Sequence, residues 1–406
     1  MLQRLSPAPA DLLAAMQGYA PEMTALRRDI HQHPELGFEE RRTSDIVARC
    51  LTDWGYEVER GLGGTGVVGR LRCGTGSRAI GLRADMDALP IQEASGLPWA
   101  SAHAGVMHAC GHDGHTATLL GAAHYLGDTR GFSGTLNLIF QPAEEGLGGA
   151  LRMMQDGLFE KYPCDAVFAL HNMPGLPQGQ LVFRSGAFMA SSDYATIRLR
   201  GVGGHGAMPH RATDPVVAAA SIVMALQTLV SRNVDPGEMA VVTVGAIHGG
   251  QANNVIPDSV TLELSLRALN PQVRALLEQR LRALVEAQAQ SYGVQAELDY
   301  RHGYAVLVNA EAPTRLATEV ARELFGAERV TPQGAPLSGS EDFAFMLERV
   351  PGCYLLVGNG QGEGSCMVHN PGYDYNDAIL PTGAALWAGL VQRFLPLNDA
   401  ATPATA

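Results

Sequence analysis

A cysteine and a histidine flank a single glycine in Cys110-Gly111-His112-Asp113. Thiolate and imidazole are ligands for transition metals, and the glycine lets both side chains turn to the same side. Other residues with metal-binding chemistry are spread along the chain: Asp85, Asp87, the pair Glu144-Glu145, His171 and His369. A thiolate, three imidazoles and a carboxylate drawn together could hold two metal ions, because thiolate or carboxylate oxygen can bridge. Taken singly, each has a plainer reading. A lone Cys110 suits a small core residue. A lone histidine at a strand end is more often a hydrogen-bonded structural group. Glu144-Glu145 suits a solvated loop or an acidic helix start. The metal reading depends on whether the fold brings these residues to one place.

Apolar runs of strand length occupy 66–71, 79–83, 135–140, 166–170 and 353–357. Helical patterns occupy 23–30, 43–54, 114–126, 148–156 and 313–325. Leu136, Leu138, Ile139 and Phe140 read as buried on both faces. This alternation predicts an α/β layer with a largely parallel central sheet. Open sheets of that kind bind ligands beyond the carboxyl ends of their strands. Asp85 and Asp87 follow the strand at 79–83, Glu144-Glu145 the one at 135–140, and His171 the one at 166–170. His369 lies in the loop after 353–357, and Cys110 to Asp113 precede the helix at 114–126. This coincidence favours a metal site.

The middle of the chain has a different pattern. Ile197 and Leu199 alternate with Thr196, Arg198 and Arg200. Asp214-Pro215 is an N-cap followed by proline at the first helical position, leading a helix to about 230. Strands at 239–247 and 260–267, a helix at 272–291 and a strand at 294–300 complete a β-α-β-β-α-β unit. The expected architecture is a discontinuous catalytic domain, 1–190 and 303–406. It is interrupted by an inserted ferredoxin-like α+β domain, 191–302. The tail 397–406 is expected to fray.

Of 406 residues, 46% are hydrophobic and 17% charged, which supports a large core and excludes a disordered chain. The net charge is -12, without basic runs, so neither nucleic acid nor a polybasic membrane contact is expected. The apolar stretch 216–230 reads as too short for a membrane span, and the start lacks a signal-peptide run, so a cytoplasmic chain is expected. The six cysteines are dispersed without a CxxC pair, as reduced thiols are. The 47 glycines exceed the usual share of about 7% and imply many tight turns. The run GLGGTG (61–66) is not a dinucleotide fingerprint, so a nucleotide-binding reading lacks support.

Nine segments resemble the M20 metallopeptidase family, in its amidohydrolase branch, in family order. They are RRDIHQHPELGFEE (27–40), GLRADMDALP (81–90), MHACGHDGHTA (107–117), FQPAEEG (140–146), ALHNMP (169–174), GGHGAMPH (203–210), ANNVIPD (252–258), SGSEDFA (338–344) and VHNPGYDYND (368–377). The resemblance implies a binuclear site of two divalent ions (Mn, Zn, Co or Ni) on Cys110, His112, Glu145, His171 and His369. It implies Glu144 as general base, with Asp85 and Asp87 as supports that position ligands. It also implies a homodimer, a tetramer being the alternative, with 191–302 as its lid or dimerisation domain and His205 reaching the active site of the opposite subunit. Asn254 and Arg267 would hold a substrate carboxylate, for which an arginine fork is suited; a locally satisfied loop residue is the plainer reading of His205, and an exposed strand residue that of Arg267. No catalytic role falls to His31, His33 or His115. The expected reaction is hydrolysis of an N-acyl amino acid at its amide bond. A dipeptidase, an aminoacylase or an N-acetyl-diaminopimelate deacetylase are the nearest alternatives. An inactive metal- or ligand-binding protein is a more distant one.

Overall fold

The computed structural model describes residues 9–362 and 365–397. The tail expected to fray therefore lies outside the described residues, Leu397 excepted. The chain divides into two compact units. One comprises Met1–Gly186, Val308–Ala335 and Phe345–Ala406; the other comprises Ala187–Leu307 and Pro336–Ala344. The divisions fall within a few residues of 191 and 302. Pro336–Ala344 joins the second unit although no sequence period marks it.

The first unit is built on an eight-stranded mixed sheet. Its spatial order is Glu57–Leu62, Gly66–Cys73, Gly134–Gln141, Ala79–Asp85, Ala166–Pro174, Gly352–Gly360, Leu181–Val182 and Val330–Thr331. The central strands pair in parallel. Toward the first edge the pairing turns antiparallel, because a tight turn joins Glu57–Leu62 to Gly66–Cys73 as a hairpin. A second antiparallel pairing follows on the other side, at Leu181–Val182. Parallel pairing returns at the far edge, between Leu181–Val182 and Val330–Thr331, while the ligand-bearing strands lie in the parallel middle.

Strand Gly352–Gly360 is buried along its whole length, as a strand covered on both faces must be. Helix Leu380–Phe394 is buried on nearly every side, Trp387 included, as a helix packed within the core must be. Helix Pro9–Gln32 begins well before the expected 23. Pro21 lies inside it, where a proline reads as a start signal. Two site-bearing strands are longer than the apolar runs suggest. Asp85 is the last residue of Ala79–Asp85, and His171 lies inside Ala166–Pro174, opposite Leu356.

The second unit is an antiparallel sheet in the order Ala240–His248, Ser259–Ala268, Asp193–Arg200, Gln295–His302. Helices Pro215–Asn233 and Pro271–Ser291 pack on it. Ile222, Leu226, Leu277 and Leu281 meet Ile197, Leu262 and Leu264 in one core. Both helices start as their sequences require. Asp214 accepts the Val216 N–H at 2.8 Å and Asn270 the Gln272 N–H at 2.9 Å, each with proline next in line. At 19 residues and mean hydropathy 1.5, Pro215–Asn233 is long and apolar enough to cross a membrane by length and composition, which corrects the expectation that it is too short. Its Ala218, Ala219, Ile222, Leu226 and Leu229 are instead buried in the core of this unit.

Candidate metal centre

Gly111 caps helix His112–Thr129 with φ +93°, so His112 is the first helical residue and Cys110 precedes the turn. A Cβ at Gly111 would lie 2.3 Å from Asn172 Nδ2 and 2.5 Å from the Tyr373 hydroxyl. Only glycine fits this turn, both for its backbone and for its space. His369 also has a left-handed backbone, φ +68°, and its N–H donates to Ala109 O at 2.7 Å. That bond draws the loop from the far end of the chain to the Cys110 turn. Glu144 and Glu145 follow Gly134–Gln141 through Pro142 and Ala143.

These elements bring five of these residues, Cys110, His112, Glu145, His171 and His369, together as two triads that share one thiol. Ligand atoms of Cys110, His112 and His171 lie within 4.8 Å of one another, as do those of Cys110, Glu145 and His369. Glu144 joins His112 and Glu145 in a third group of the same size. His171 Nδ1 donates to Asn172 O at 2.6 Å, leaving the Nε2 lone pair 3.3 Å from Cys110 Sγ. His112 Nδ1 meets Asp87 Oδ1 at 3.1 Å, while its Nε2 is buried with no hydrogen-bond partner. Glu145 Oε1 is likewise buried without one. It lies 3.2 Å from His369 Nε2 and 3.9 Å from His112 Nε2, but not in hydrogen-bonding geometry. Bare, convergent imidazole and carboxylate lone pairs beside a thiol are a donor set for divalent transition metals.

The electrostatics show an excess of negative charge at the site. Burial pushes the Cys110 thiol well above its ordinary value, and Glu145, Glu144 and Asp85 push it further. Burial disfavours a charged His112, yet Asp85 and Asp87 bring its pKa up to about 10. His171 is driven well below the usual imidazole range by burial and then by His115, which favours the neutral ring a metal needs. Such a concentration of acidic groups is what a divalent cation neutralises.

A layer of hydrogen bonds supports the triads. Asp87 spans two of them, meeting His112 through Oδ1 and accepting the Glu145 N–H at 2.9 Å through Oδ2. Asp85 pairs with Arg83 at 2.6 Å and with His115 Nδ1 at 2.6 Å. The Asn172 N–H donates to His115 Nε2 at 3.0 Å, so the neutral ring carries its proton on Nδ1 and donates it to Asp85. Asp85, His112 and His115 could themselves hold a metal by distance. Both nitrogens of His115 are engaged, however, so this group supports the site. Asn172 also donates to Cys110 O at 2.7 Å and accepts from Tyr373 at 2.6 Å. Asn172 and Tyr373 sit in ALHNMP and VHNPGYDYND beside the ligands, but their side-chain types carry no metal signal of their own.

The remaining expected residues lie in the second unit. His205 is exposed, in the two-residue strand Gly204–His205 paired with Val255–Ile256. Its Nδ1 accepts the Ala207 N–H at 3.0 Å, which leaves the proton of the neutral ring on Nε2. Asn254 is close by, its carbonyl accepting the Gly206 N–H at 2.8 Å. Arg267, partly buried, donates to Ser340 Oγ at 2.9 Å.

The model of peptidase family M20/M25/M40 matches residues 81–393, which include all the ligand candidates. The chain belongs to this family. Among its relatives is hippurate hydrolase of Campylobacter jejuni, 46% identical over 92% of this chain and 97% of its own length. N-acetyl-L-cysteine deacetylase of Bacillus subtilis is 38% identical over 93% of this chain and 89% of its own. A dinuclear metal-binding peptidase of the M20 family from Bacillus subtilis has the same fold. It shows a TM-score of 0.81 and 32% identity, over 92% of this chain and 98% of its own.

Proposed function

We infer that this chain is a metal-dependent amidohydrolase that cleaves N-acyl amino acids to a carboxylic acid and a free amino acid. The observation that carries this reading is the pair of triads sharing Cys110, with Glu144 beside them. The names of hippurate hydrolase and N-acetyl-L-cysteine deacetylase both denote hydrolysis of an N-acylated amino acid, which supports the substrate class.

Cys110, His112 and His171 would hold one divalent ion, and Cys110, Glu145 and His369 a second; Mn, Zn, Co and Ni all suit these donors. When bound, the ions supply Lewis acidity, which acidifies water and polarises an acyl carbonyl. Glu144 takes the proton of the attacking water as its oxygen joins the acyl carbon. Glu144 then delivers that proton to the amide nitrogen as the C–N bond breaks. Asp87 keeps His112 and the Glu145 backbone in register through both steps. Asn254 and Arg267 would orient the free carboxylate of the substrate.

We assign His205 to the site of a second copy in a homodimer, where Nε2–H would donate to the carbonyl oxygen as it gains charge. Its exposure and its Nε2 proton support this role. Exposed Val216, Val217 and Met224 on helix Pro215–Asn233, and the edge strand Ala240–His248, support self-association of this unit. The free thiols suit a reducing cytoplasm.

The test is a panel of hippurate, acetyl-amino acids and dipeptides, assayed after reconstitution with each metal. N-acyl amino acids should turn over fastest. Glu144→Gln should keep its metal and lose nearly all turnover. Substantial activity in that variant would remove Glu144 from the role of base.

A further inference from the structure

The motif at 27–40 contributes no ligand candidate, yet its end, Pro34 to Glu40, packs against the loop that carries Glu144. A Cβ at Gly37 would lie 3.0 Å from both Cα and Cβ of Ala143 and 2.8 Å from Leu147 Cδ1, so this turn sits directly on that loop. Glu40 is fully buried. Its Oε1 accepts the Ala143 N–H at 2.8 Å, and its Oε2 accepts the Thr65 hydroxyl. Ala143 has φ +54°, a left-handed backbone that residues with a Cβ disfavour. Its own carbonyl accepts the Gly149 N–H at 2.9 Å. Two residues on, the Glu145 N–H is held by Asp87. Glu144 thus stands between two backbone groups, each fixed by a buried carboxylate from elsewhere in the chain.

We propose that Glu40 is a positioning residue for Glu144: by accepting the Ala143 N–H, it holds Ala143 in the left-handed turn that sets the direction of the Glu144 side chain. The Glu40 carboxylate bonds the Ala143 amide and the Thr65 hydroxyl rather than a ligand candidate, so it acts through the backbone of Ala143. The partners support a hydrogen-bond role over a charge role, since the Thr65 hydroxyl and the Ala143 amide are both donors that need an acceptor. The inference rests on Glu144 as the proton carrier.

The test compares Glu40→Gln and Glu40→Met, each made with and without Ala143→Gly, on hippurate. kcat, KM, bound metal and unfolding midpoint are measured for each. Glutamine keeps an acceptor for the Ala143 N–H, and methionine fills similar space without one. Glu40→Met should lower kcat by roughly 10–100-fold, the usual cost of removing a buried support of a metal site. KM and bound metal should stay near the wild-type values. Glu40→Gln should retain most of kcat. Glycine adopts positive φ without support, so the loss caused by Glu40→Met should shrink in the Ala143→Gly background. Equal losses in Gln and Met variants would overturn the inference. So would a Met loss indifferent to Ala143→Gly, or one confined to KM or metal content. Should the Met variant not fold, the Gln variant decides: retained kcat supports the hydrogen-bond role, and a loss as deep as that of Glu144→Gln refutes it. Failure of the underlying reading shows separately, as high turnover in Glu144→Gln itself.

Discussion

Asp87 makes two contacts with one carboxylate, one to the His112 ring and one to the Glu145 backbone. These two residues belong to different triads, so Asp87 ties the two halves of the centre together. Asp87→Ala would free the His112 ring to rotate and its tautomer to change, while leaving every ligand in the chain. The expected result is a loss of metal affinity of about 10–100-fold. Competition with a graded chelator measures it, and affinity equal to wild type would show that the bridge is not needed. The ligand types at this scale are legible from sequence, because sulfur, imidazole and carboxylate chemistry belongs to the residue itself. The requirement for glycine at 111 is not. It comes from Asn172 and Tyr373, which are distant in sequence and close only in the fold.

At the scale of elements, helix Pro9–Gln32 is fastened to the first turn of His112–Thr129. Arg27 and His31, one turn apart on that helix, are both fully buried. His31 Nδ1 bonds Asp113 Oδ2 at 2.8 Å, and Arg27 reaches Asp374 at 2.7 Å and Asp377 at 2.6 Å. Burial opposes a charged His31, but the Asp113 carboxylate raises its pKa to about 9. Asp113 is itself held well below the usual carboxylate range despite burial, chiefly by His31. A histidine with a raised folded pKa stabilises fully below its unfolded value, near 6.5, and loses that contribution as pH climbs through 9. A carboxylate with a depressed pKa loses its contribution below about 4, as acid protonates it. The stability advantage of wild type over His31→Gln should therefore be greatest between about pH 4 and 6.5 and fade toward pH 9. Its ceiling is on the order of 3 kcal/mol. Urea unfolding across that range checks it, and an advantage that grows with pH would contradict the ion pair. Strand and helix periods reveal these elements only in part. The strand carrying His171 outlasts its apolar run because its end is occupied by polar site residues.

For the whole molecule, the two units carry complementary parts of the proposed reaction. All the metal-ligand candidates and Glu144 belong to the first; His205, Asn254 and Arg267 belong to the second. If His205 serves the other copy of a dimer, two inactive variants can complement. A mixture of Glu144→Gln and His205→Ala chains forms hybrids in which one site has both groups intact. Random pairing should restore roughly a quarter of the wild-type rate, since half the dimers are hybrids with one competent site each. No recovery, once subunit exchange has been demonstrated by native mass spectrometry, would place His205 outside the opposite site.

The sequence by itself determined the chemistry that is local: the ligand types, the N-caps at Asp214 and Asn270, and the change from strand-helix alternation to an antiparallel α+β pattern in the middle of the chain. Each is written in adjacent residues or a short period. Tertiary structure decided what is held through space. It set which lone pairs stay bare, how Asp87 joins two triads, and why His115 supports the centre while His171 faces the thiol. It also gave Glu40 a partner 103 residues away, at Ala143. A left-handed alanine looks ordinary in a sequence. Its cost and its support exist only after the chain has folded, because the acceptor that satisfies its N–H arrives from another element.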